Sequence, residues 1–351
     1  MYYSRRNFFN GLLGLSLTSL LPNSLYPQEC IPSIEKERLF PKALKKGDTI
    51  GLIAPGYTFP ERVLEETINT LVAMGYKPYY TDRINKRHGY FSNTDSERAL
   101  DLNHMFANKK VDAILCLRGG YGCTRIMHLL DYDVIRNNPK ALIGFSDVTA
   151  LLNGIFKITG LVSFHGPVGS TLDNDYSKEA FEKILCVSED LKSIHNTILA
   201  PKYLNNPEYE RYTITEGVAE GKIFGGSLTL ISALIGTPHE LDFTDAIVCI
   251  EDVEEAPYRI DRMLTQLIEG DTFKKAAGIV FGVCAGCNES TNPNSFTLKE
   301  VIMDRIKPLG IPAVYGMSFG HVKQNFTFPI GVKASFNTDD MIIHLKEKTV
   351  V

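Results

Sequence analysis

The sequence predicts an α/β fold in which a parallel β-sheet carries helices on both faces and is followed by a second domain. Short apolar runs alternate with amphipathic helical patterns along the first half of the chain, which is typical of parallel sheets. Several runs break off at glycine or at a polar residue, as strands do before a turn into a helix. With 351 residues, the chain is long enough for two domains with separate hydrophobic cores.

The first predicted domain spans residues 44–170. Its strands are the short apolar runs, and its helices are the segments in which apolar residues recur every three or four positions. The predicted strands lie within 47–56, 76–80, 111–117, 141–143 and 161–164, and the predicted helices cover 61–74, 96–108 and a segment after residue 146.

The second predicted domain spans residues 217–351 and contains more strands than helices. Residues 171–216 carry one helical piece near 177–186, but otherwise lack strand patterning and are predicted to connect the domains. The predicted strands of the second domain are 221–228, 246–250, 277–283, 313–319, 330–336 and 341–345, with a helix around 260–268.

The N-terminus has the layout of an export signal. Arg5 and Arg6 precede the apolar run 11–21, which is too short to cross a bilayer comfortably. The paired arginines followed by x-Phe resemble the signal of the twin-arginine pathway. We therefore expect residues 1–43 to be an export signal and leader, and the protein to be periplasmic. If they form only an uncleaved extension, we expect a cytoplasmic protein.

Composition excludes several classes of partner. Apolar residues make up 44% and charged residues 22% of the chain, as in ordinary globular proteins, and the net charge is −4. That charge gives no reason to expect nucleic acid or an anionic membrane as a partner. Cys284 and Cys287 form a C-x-x-C pair without a second pair at zinc spacing, so we expect neither a metal nor another cofactor.

Ser146 follows the predicted strand 141–143 at its junction with a helix. The helical segment behind it repeats apolar residues on one face. The free N–H groups at a helix N-terminus favour negative charge, so a nucleophilic serine and its oxyanion suit this position. The alternative is a serine that only caps the helix, and the G-x-S-x-G motif is absent here.

Glu251 and His321 each follow another buried run. A serine needs a base to take its proton, histidine does this near neutral pH, and a carboxylate orients the imidazole. The sequence thus contains the parts of a Ser-His-Glu triad. His165, also at a strand end, is a rival base, and Glu251 could instead belong to a solvated acidic turn.

Glycines follow the strand 111–117 directly. Gly119, Gly120 and Gly122 allow backbone N–H groups to approach a ligand closely, and with the N–H of Asp147 they could form an oxyanion hole. The alternative is an ordinary glycine turn. Neither nucleotide-binding glycine motif is present, which disfavours a phosphate-binding loop.

These motifs resemble those of the LD-carboxypeptidases of serine peptidase family S66, which also contains the microcin C self-immunity hydrolases. The resemblance covers roughly residues 45–348. It is carried by Arg118-Gly-Gly-Tyr-Gly122, by Asn138-Pro-Lys140 through Gly144-Phe-Ser-Asp-Val-Thr149, by Glu251-Asp252 with Pro257-Tyr-Arg-Ile-Asp-Arg262, and by Gly320-His321 before Pro329-Ile-Gly331.

The resemblance implies a flavodoxin-like N-terminal domain, a smaller β-rich C-terminal domain and a site between them. It implies Ser146 as nucleophile, His321 as base and Glu251 as its carboxylate. It also implies an oxyanion hole from the N–H groups of Gly120 and Asp147. Members are typically homodimers without a metal and release the terminal D-alanine of a muropeptide tetrapeptide.

Three features depart from usual members: the apparent export signal, Phe145 where tyrosine is common, and Ser227 where the family pattern has asparagine. We therefore expect a serine LD-carboxypeptidase acting on muropeptides. The alternatives are a microcin C-type immunity hydrolase and an exported muropeptide-binding protein without turnover.

Overall fold

The fold is described from a computed structural model that covers residues 37–186, 191–197, 201–203, 205–288 and 292–351. The predicted export signal lies outside these residues. The strands are β1 (Thr49–Ile53), β2 (Lys77–Tyr79), β3 (Ala113–Cys116), β4 (Ala141–Gly144), β5 (Ser163–His165), β6 (Ser193–Ile194), β7 (Tyr212–Thr215), β8 (Val218–Ser227), β9 (Ala246–Glu251), β10 (Gly278–Gly282), β11 (Ala313–Met317), β12 (Phe328–Ile330), β13 (Lys333–Asn337) and β14 (Ile342–Leu345). The helices are α1 (Glu61–Ala73), α2 (Asp95–Ala107), α3 (Cys123–Ile126), α4 (Tyr132–Asn137), α5 (Thr149–Thr159), α6 (Asp175–Leu185), α7 (Leu228–Leu234), α8 (Pro257–Glu269) and α9 (Leu298–Ile306).

The first sheet is parallel over β1 to β5, in the order β2-β1-β3-β4-β5. This is the flavodoxin-type order, so the predicted fold of the N-terminal part is confirmed. Its central strands are apolar throughout, as a sheet covered on both faces requires: β3 and β4 are fully buried along their length. The carboxyl ends of β3, β4 and β5 lead to the glycine turn, Ser146 and His165.

The second sheet has the order β6-β14-β13-β8-β9-β10-β11-β7 and confirms the predicted β-rich C-terminal part. Strands β8 to β11 are parallel, with antiparallel strands on both sides. The carboxyl end of β9 bears Glu251, and His321 follows β11. Both side chains therefore start from one edge of this sheet.

Helix α5 lies between the two sheets, because it contacts β5 on one side and β8 on the other. Asn153, fully buried on α5, donates to the Gly225 carbonyl at 2.9 Å and accepts from the Gly225 N–H at 3.4 Å. One turn earlier, Thr149 Oγ1 accepts from the Ser227 N–H at 3.1 Å. The helix that follows the serine thus fixes the first sheet against β8.

The predicted strand-like stretch 330–336 is not one strand, because it divides between the two sheets. Strand β12 pairs antiparallel with β5 at the edge of the first sheet, whereas β13 pairs with β8 in the second. Gly331, with φ 86°, makes the break between them. A positive φ at one glycine interrupts the strand in a way that apolar patterning does not reveal.

Two strands occur in residues 171–216, which were expected to be a connection without strands. Strand β6 pairs with β14, and β7 pairs with β11, so these residues form both edges of the second sheet. Both are short edge strands that pair with strands far away in the sequence, so local patterning does not predict them. The predicted boundaries of the two domains stay a prediction.

The end of the expected leader belongs to the folded body. Leu39 exchanges backbone hydrogen bonds with Gly160 and Val162, each at 2.9 Å, and Ala43 bonds to Val351 at 2.8 Å. Residues 37–43, which the prediction assigns to the leader, are thus tied to the folded body by main-chain hydrogen bonds, although the segment has little apolar pattern. Within the described ranges, we find no helix with the length and apolarity to cross a membrane.

Candidate active site

Ser146 occupies a strained turn directly after β4. Its φ is 63°, in the left-handed region that side-chain-bearing residues rarely adopt. The chain then enters a 3-10 turn, Ser146–Val148, and continues into α5. Such strain at a strand-to-helix turn is typical of exposed nucleophiles. Phe145 takes the cap position of this turn, so the serine is not the simple helix cap that the sequence left open.

His321 bridges the serine and the carboxylate. Its Nε2 lies 3.1 Å from Ser146 Oγ, and its Nδ1 lies 2.8 Å from Glu251 Oε2. Because an ionised carboxylate can only accept, Nδ1 carries the proton, which leaves Nε2 of the neutral imidazole to accept from the serine hydroxyl. The structure therefore brings together the three residues predicted from separate strand ends.

Glu251 is the last residue of β9 and is fully buried. Burial alone would raise the pKa of its carboxyl, but the charge and hydrogen bond of His321, with a further contribution from the nearby imidazole of His165, outweigh burial and hold that pKa below its usual range. It is thus ionised at neutral pH. The expectation of a solvated acidic turn does not describe this residue.

The pKa of His321 is raised above its ordinary value of 6.5. Burial would lower it, but the charge and hydrogen bond of Glu251 act the other way, with smaller contributions from Asp252 and Glu254. A histidine with a raised pKa is a stronger base, and it is neutral only at the alkaline side of its titration.

The glycine turn after β3 lies against the serine. A side-chain carbon on Gly119 would come within 2.9 Å of Ser146 Cβ, so only glycine permits this approach. The Gly119 carbonyl accepts from the Tyr57 N–H at 3.3 Å. Because a trans peptide directs its N–H opposite to its carbonyl, the Gly120 N–H points away from Tyr57. Both backbone donors predicted for the oxyanion hole, Gly120 and Asp147, thus belong to segments that border Ser146.

The side chain of Asp147 has a role that the sequence did not indicate. Its Oδ2 accepts from the Cys123 N–H at 2.9 Å, which ties the residue after the serine to the start of α3. Burial raises the pKa of this carboxyl, while bonds from Cys123 and Gly122 act to lower it. The contact crosses 24 residues of sequence and has no local signal.

His165, the rival base, lies on the far side of Glu251. Its Nε2 is 3.9 Å from Glu251 Oε1, and its ring is fully buried. His321, not His165, accepts the hydrogen bond from the serine hydroxyl. The geometry thus separates the two histidines: one contacts the serine, and the other faces the opposite oxygen of the carboxylate.

Cys284 and Cys287 are both buried free thiols at the end of β10. In the part of the chain that the structure covers, no three histidine, cysteine or carboxylate side chains are grouped as metal ligands. The atoms near Ser146 are those of acid–base and nucleophilic chemistry: a hydroxyl, an imidazole, a carboxylate and backbone N–H groups.

Comparison with known proteins identifies relatives along almost the whole described chain. Residues 50–166 match the family model of the LD-carboxypeptidase N-terminal domain, and residues 220–336 match that of the LD-carboxypeptidase C-terminal domain. A Bacillus subtilis protein named "Probable murein peptide carboxypeptidase" is 36% identical over 303 residues, covering 85% of this chain and 91% of that protein.

Two further relatives represent different named activities. The microcin C7 self-immunity protein MccF of Escherichia coli is 29% identical over 347 residues, covering 90% of this chain and 98% of that protein. The crystal structure of muramoyltetrapeptide carboxypeptidase from Oxalobacter formigenes superposes with a TM-score of 0.73 at 30% identity, covering 85% of this chain and 97% of that one.

Proposed function

The chain belongs to the LD-carboxypeptidase family, peptidase family S66, and we propose that it is a serine carboxypeptidase that releases the terminal D-alanine of muropeptide tetrapeptides. The observation that carries this proposal is the bridge made by His321, 3.1 Å from Ser146 Oγ and 2.8 Å from Glu251 Oε2. The names of the relatives from B. subtilis and O. formigenes supply the substrate class.

The proposed reaction begins when His321 Nε2 takes the hydroxyl proton of Ser146 as Oγ attacks the carbonyl before the terminal D-alanine. The N–H groups of Gly120 and Asp147 stabilise the resulting oxyanion, each donor contributing about 3 kcal/mol. His321 then gives the proton to the departing amine. A water molecule, deprotonated by the same imidazole, hydrolyses the acyl-enzyme and restores the serine.

Release of D-alanine from a purified muramoyl tetrapeptide tests this proposal. We expect Ser146→Ala to lower kcat by at least about 1,000-fold, because the nucleophile is lost. Ser295→Ala, a change in an exposed loop, is the matched control and is expected to retain wild-type kcat. Equal rates for wild type and Ser146→Ala would contradict the nucleophile assignment.

Specificity for an L,D bond is a separate part of the proposal. Matched tetrapeptides that end in D-alanine or L-alanine are compared at one concentration. We expect release from the D-alanine peptide only. Cleavage of both peptides at similar rates would support a general carboxypeptidase instead.

A microcin C-type immunity hydrolase is the second candidate, supported by the similarity to MccF over 90% of this chain. It would use the same triad on an aminoacyl or peptidyl nucleotide analogue. We compare kcat/KM for such an analogue with that for the tetrapeptide. A ratio that favours the nucleotide analogue would replace the muropeptide proposal.

A muropeptide-binding protein without turnover is the third candidate. The hydrogen-bonded triad supports catalysis over binding alone. An active-site serine reagent is expected to label Ser146 and to stop product formation. Tetrapeptide binding without labelling and without product would favour the binding protein.

We also propose that the protein is exported through its paired arginines. Replacement of Arg5 and Arg6 by lysine keeps the charge but alters the paired-arginine motif. We expect the wild-type protein in the periplasmic fraction and the variant in the cytoplasm. Homodimerisation, implied by the family, stays a prediction that sedimentation equilibrium tests.

A further inference from the structure

A second imidazole lies behind the carboxylate of the candidate triad. His165 ends β5, and its Nε2 lies 3.9 Å from Glu251 Oε1. Both side chains have no solvent-exposed surface. The carboxylate is therefore placed between two histidines, with His321 on Oε2 and His165 on the side of Oε1.

The hydrogen bonding of this pair is incomplete. Within the described residues, Glu251 Oε1 and both ring nitrogens of His165 have no hydrogen-bond partner. A buried polar group without a partner costs roughly 1–3 kcal/mol, more for a charged one. The gap of 3.9 Å is about 1 Å longer than an N–H···O bond, so a small movement of either side chain would satisfy two of the three atoms.

Aromatic rings hold His165 in a narrow slot. Phe328 stacks on the imidazole at 4.5 Å and 17°, and Phe319 meets it edge-on at 6.0 Å and 90°. Phe145 lies edge-on to both histidines, at 6.0 Å from His165 and 4.9 Å from His321. These rings pack around the imidazole, and both side chains of the pair are shielded from solvent.

The slot also selects the neutral imidazole. Burial lowers the pKa of His165, although Glu251 acts to raise it. A neutral imidazole has one N–H to donate, and the only charge in the pair stays on the carboxylate. A neutral donor can orient Glu251 without cancelling the charge that stabilises a protonated His321.

We propose that His165 is a positioning residue of the active site: it donates Nε2–H to Glu251 Oε1 and thereby holds the carboxylate in the orientation that His321 requires. The inference rests on the proposed Ser-His-Glu hydrolase. His165 acts through Glu251 and touches neither the substrate nor Ser146. Catalytic hydrogen bonds are often long in an empty site and shorten when substrate binds, so we expect the 3.9 Å separation to shorten in the complex.

Two variants distinguish the hydrogen bond that His165 donates from the packing of its ring. His165→Phe keeps an aromatic ring in the slot but removes the N–H, whereas His165→Gln places an amide N–H near the position of Nε2. We expect His165→Phe to lower kcat about tenfold with KM within twofold of wild type. We expect His165→Gln to recover at least a third of the wild-type kcat. His239→Phe is the control, because His239 also has a buried ring nitrogen without a partner among the described residues, but lies away from the triad.

The pKa of His321 is the readout that a packing role would not change. The groups that face His321 are Glu251, Asp252 and Glu254, and the group that faces Glu251 from behind is His165. A carboxylate that is no longer held spends less time bonded to Nδ1 and raises the pKa of His321 less. We therefore expect this pKa, followed by histidine NMR, to fall in His165→Phe and to stay at the wild-type value in His165→Gln and His239→Phe.

The NMR measurement requires no turnover, so it distinguishes failure of this inference from failure of the proposed reaction. Thermal unfolding first confirms that each variant folds. An unchanged pKa of His321 in folded His165→Phe would overturn the inference, as would equal losses of kcat in the Phe and Gln variants. A shifted pKa supports it even if the protein hydrolyses none of the peptides tested.

Discussion

At the scale of single residues, the unusual feature is the backbone of Ser146. A left-handed conformation costs a residue with a side chain roughly 1–2 kcal/mol, and glycine pays almost none of this. In this conformation the hydroxyl lies 3.1 Å from His321 Nε2, as the proposed reaction requires. Stability and function are therefore opposed at this position.

We predict that Ser146→Gly raises the free energy of unfolding by about 1 kcal/mol relative to Ser146→Ala, because glycine relieves the positive φ of 63°. Both variants lack the nucleophile and are expected to be inactive. Urea denaturation monitored by circular dichroism provides the comparison. Equal unfolding free energies for the two variants would show that the turn is not strained.

The pH dependence of activity follows from the pair Glu251 and His321. The base must be neutral to act, and the pKa of His321 is raised above 6.5, so kcat/KM is expected to rise with pH through a midpoint above 6.5. In Glu251→Gln the negative charge that raises the pKa of His321 is gone, so burial of the imidazole lowers this pKa relative to the wild type. We predict that the midpoint moves to lower pH than in the wild type and that kcat falls by about 1,000-fold or more.

The pH–rate profile of each enzyme measures this directly. Glu255→Gln is the matched control, because Glu255 belongs to the same acidic cluster but pairs with Arg259 at 3.2 Å. A midpoint that stays in place in Glu251→Gln would mean that the carboxylate does not control the pKa of the base.

Sequence reasoning selected Ser146, Glu251 and His321 as candidates because each follows a buried strand, and parallel strands bring their carboxyl ends to one edge. The structure places these three side chains in hydrogen-bond contact. It did not reveal the Asp147–Cys123 bond or the separate places of the two histidines. Those depend on side-chain directions across segments far apart in the chain. Residue type and position in the sequence therefore indicate candidate catalytic residues, whereas interatomic distances in the structure show which of them contact one another.

At the scale of elements, the turn after β3 combines close packing with unusual backbone angles. Gly120 has φ 107°, and a side-chain carbon there would meet the ring of Tyr57 within 2.5 Å. The same peptide group is fixed by the Tyr57 N–H on the Gly119 carbonyl. The segment is therefore built around one aromatic side chain.

We predict that Gly120→Ala lowers kcat by about 100- to 1,000-fold, because the displaced peptide no longer directs its N–H at the oxyanion. Gly310→Ala is the control: its φ is also positive, at 67°, but it has open space around it. The control is expected to lose about 1 kcal/mol of stability and no activity. Steady-state kinetics on the tetrapeptide decide the matter, and comparable kcat for the two variants would contradict this role for the turn.

The elements that patterning missed are short or depend on distant partners. Strands β6 and β7 have two and four residues and lie at sheet edges, where burial gives little periodic signal. Helix α9 was also missed, although Thr297 and Glu300 form a capping box that the spacing T-x-x-E indicates. Strands β6 and β7 could not be predicted, because short edge strands have little periodic pattern. Helix α9 could have been predicted from its capping box.

At the scale of the whole molecule, the proposed triad requires that two sheets keep a fixed relative position. Ser146 comes from the first sheet, and Glu251 and His321 come from the second. Asn153 bonds to both backbone groups of Gly225 across this junction. A misplacement of 1 Å at reacting groups can cost about 100-fold in rate.

We predict that Asn153→Ala lowers the unfolding free energy by about 1–3 kcal/mol and kcat by about tenfold. Asn103→Ala is the matched control, because Asn103 also bonds two backbone groups, the Leu129 carbonyl and the Asp131 N–H, but within the first half of the chain. The control is expected to lose stability with unchanged kcat. Denaturation and kinetics on both variants test this, and an intact kcat in Asn153→Ala would show that the junction does not depend on this side chain.

The pairing of β12 with β5 has a consequence for synthesis of the protein on the ribosome. The outer edge of the first sheet at residues 163–165 gains its partner only when residues 328–330 have been made. Until then a growing chain presents unpaired backbone donors and acceptors at that edge, which invites pairing with other chains. The serine can be in place early in translation, but the first sheet is completed, and His321 added, only near the end of it.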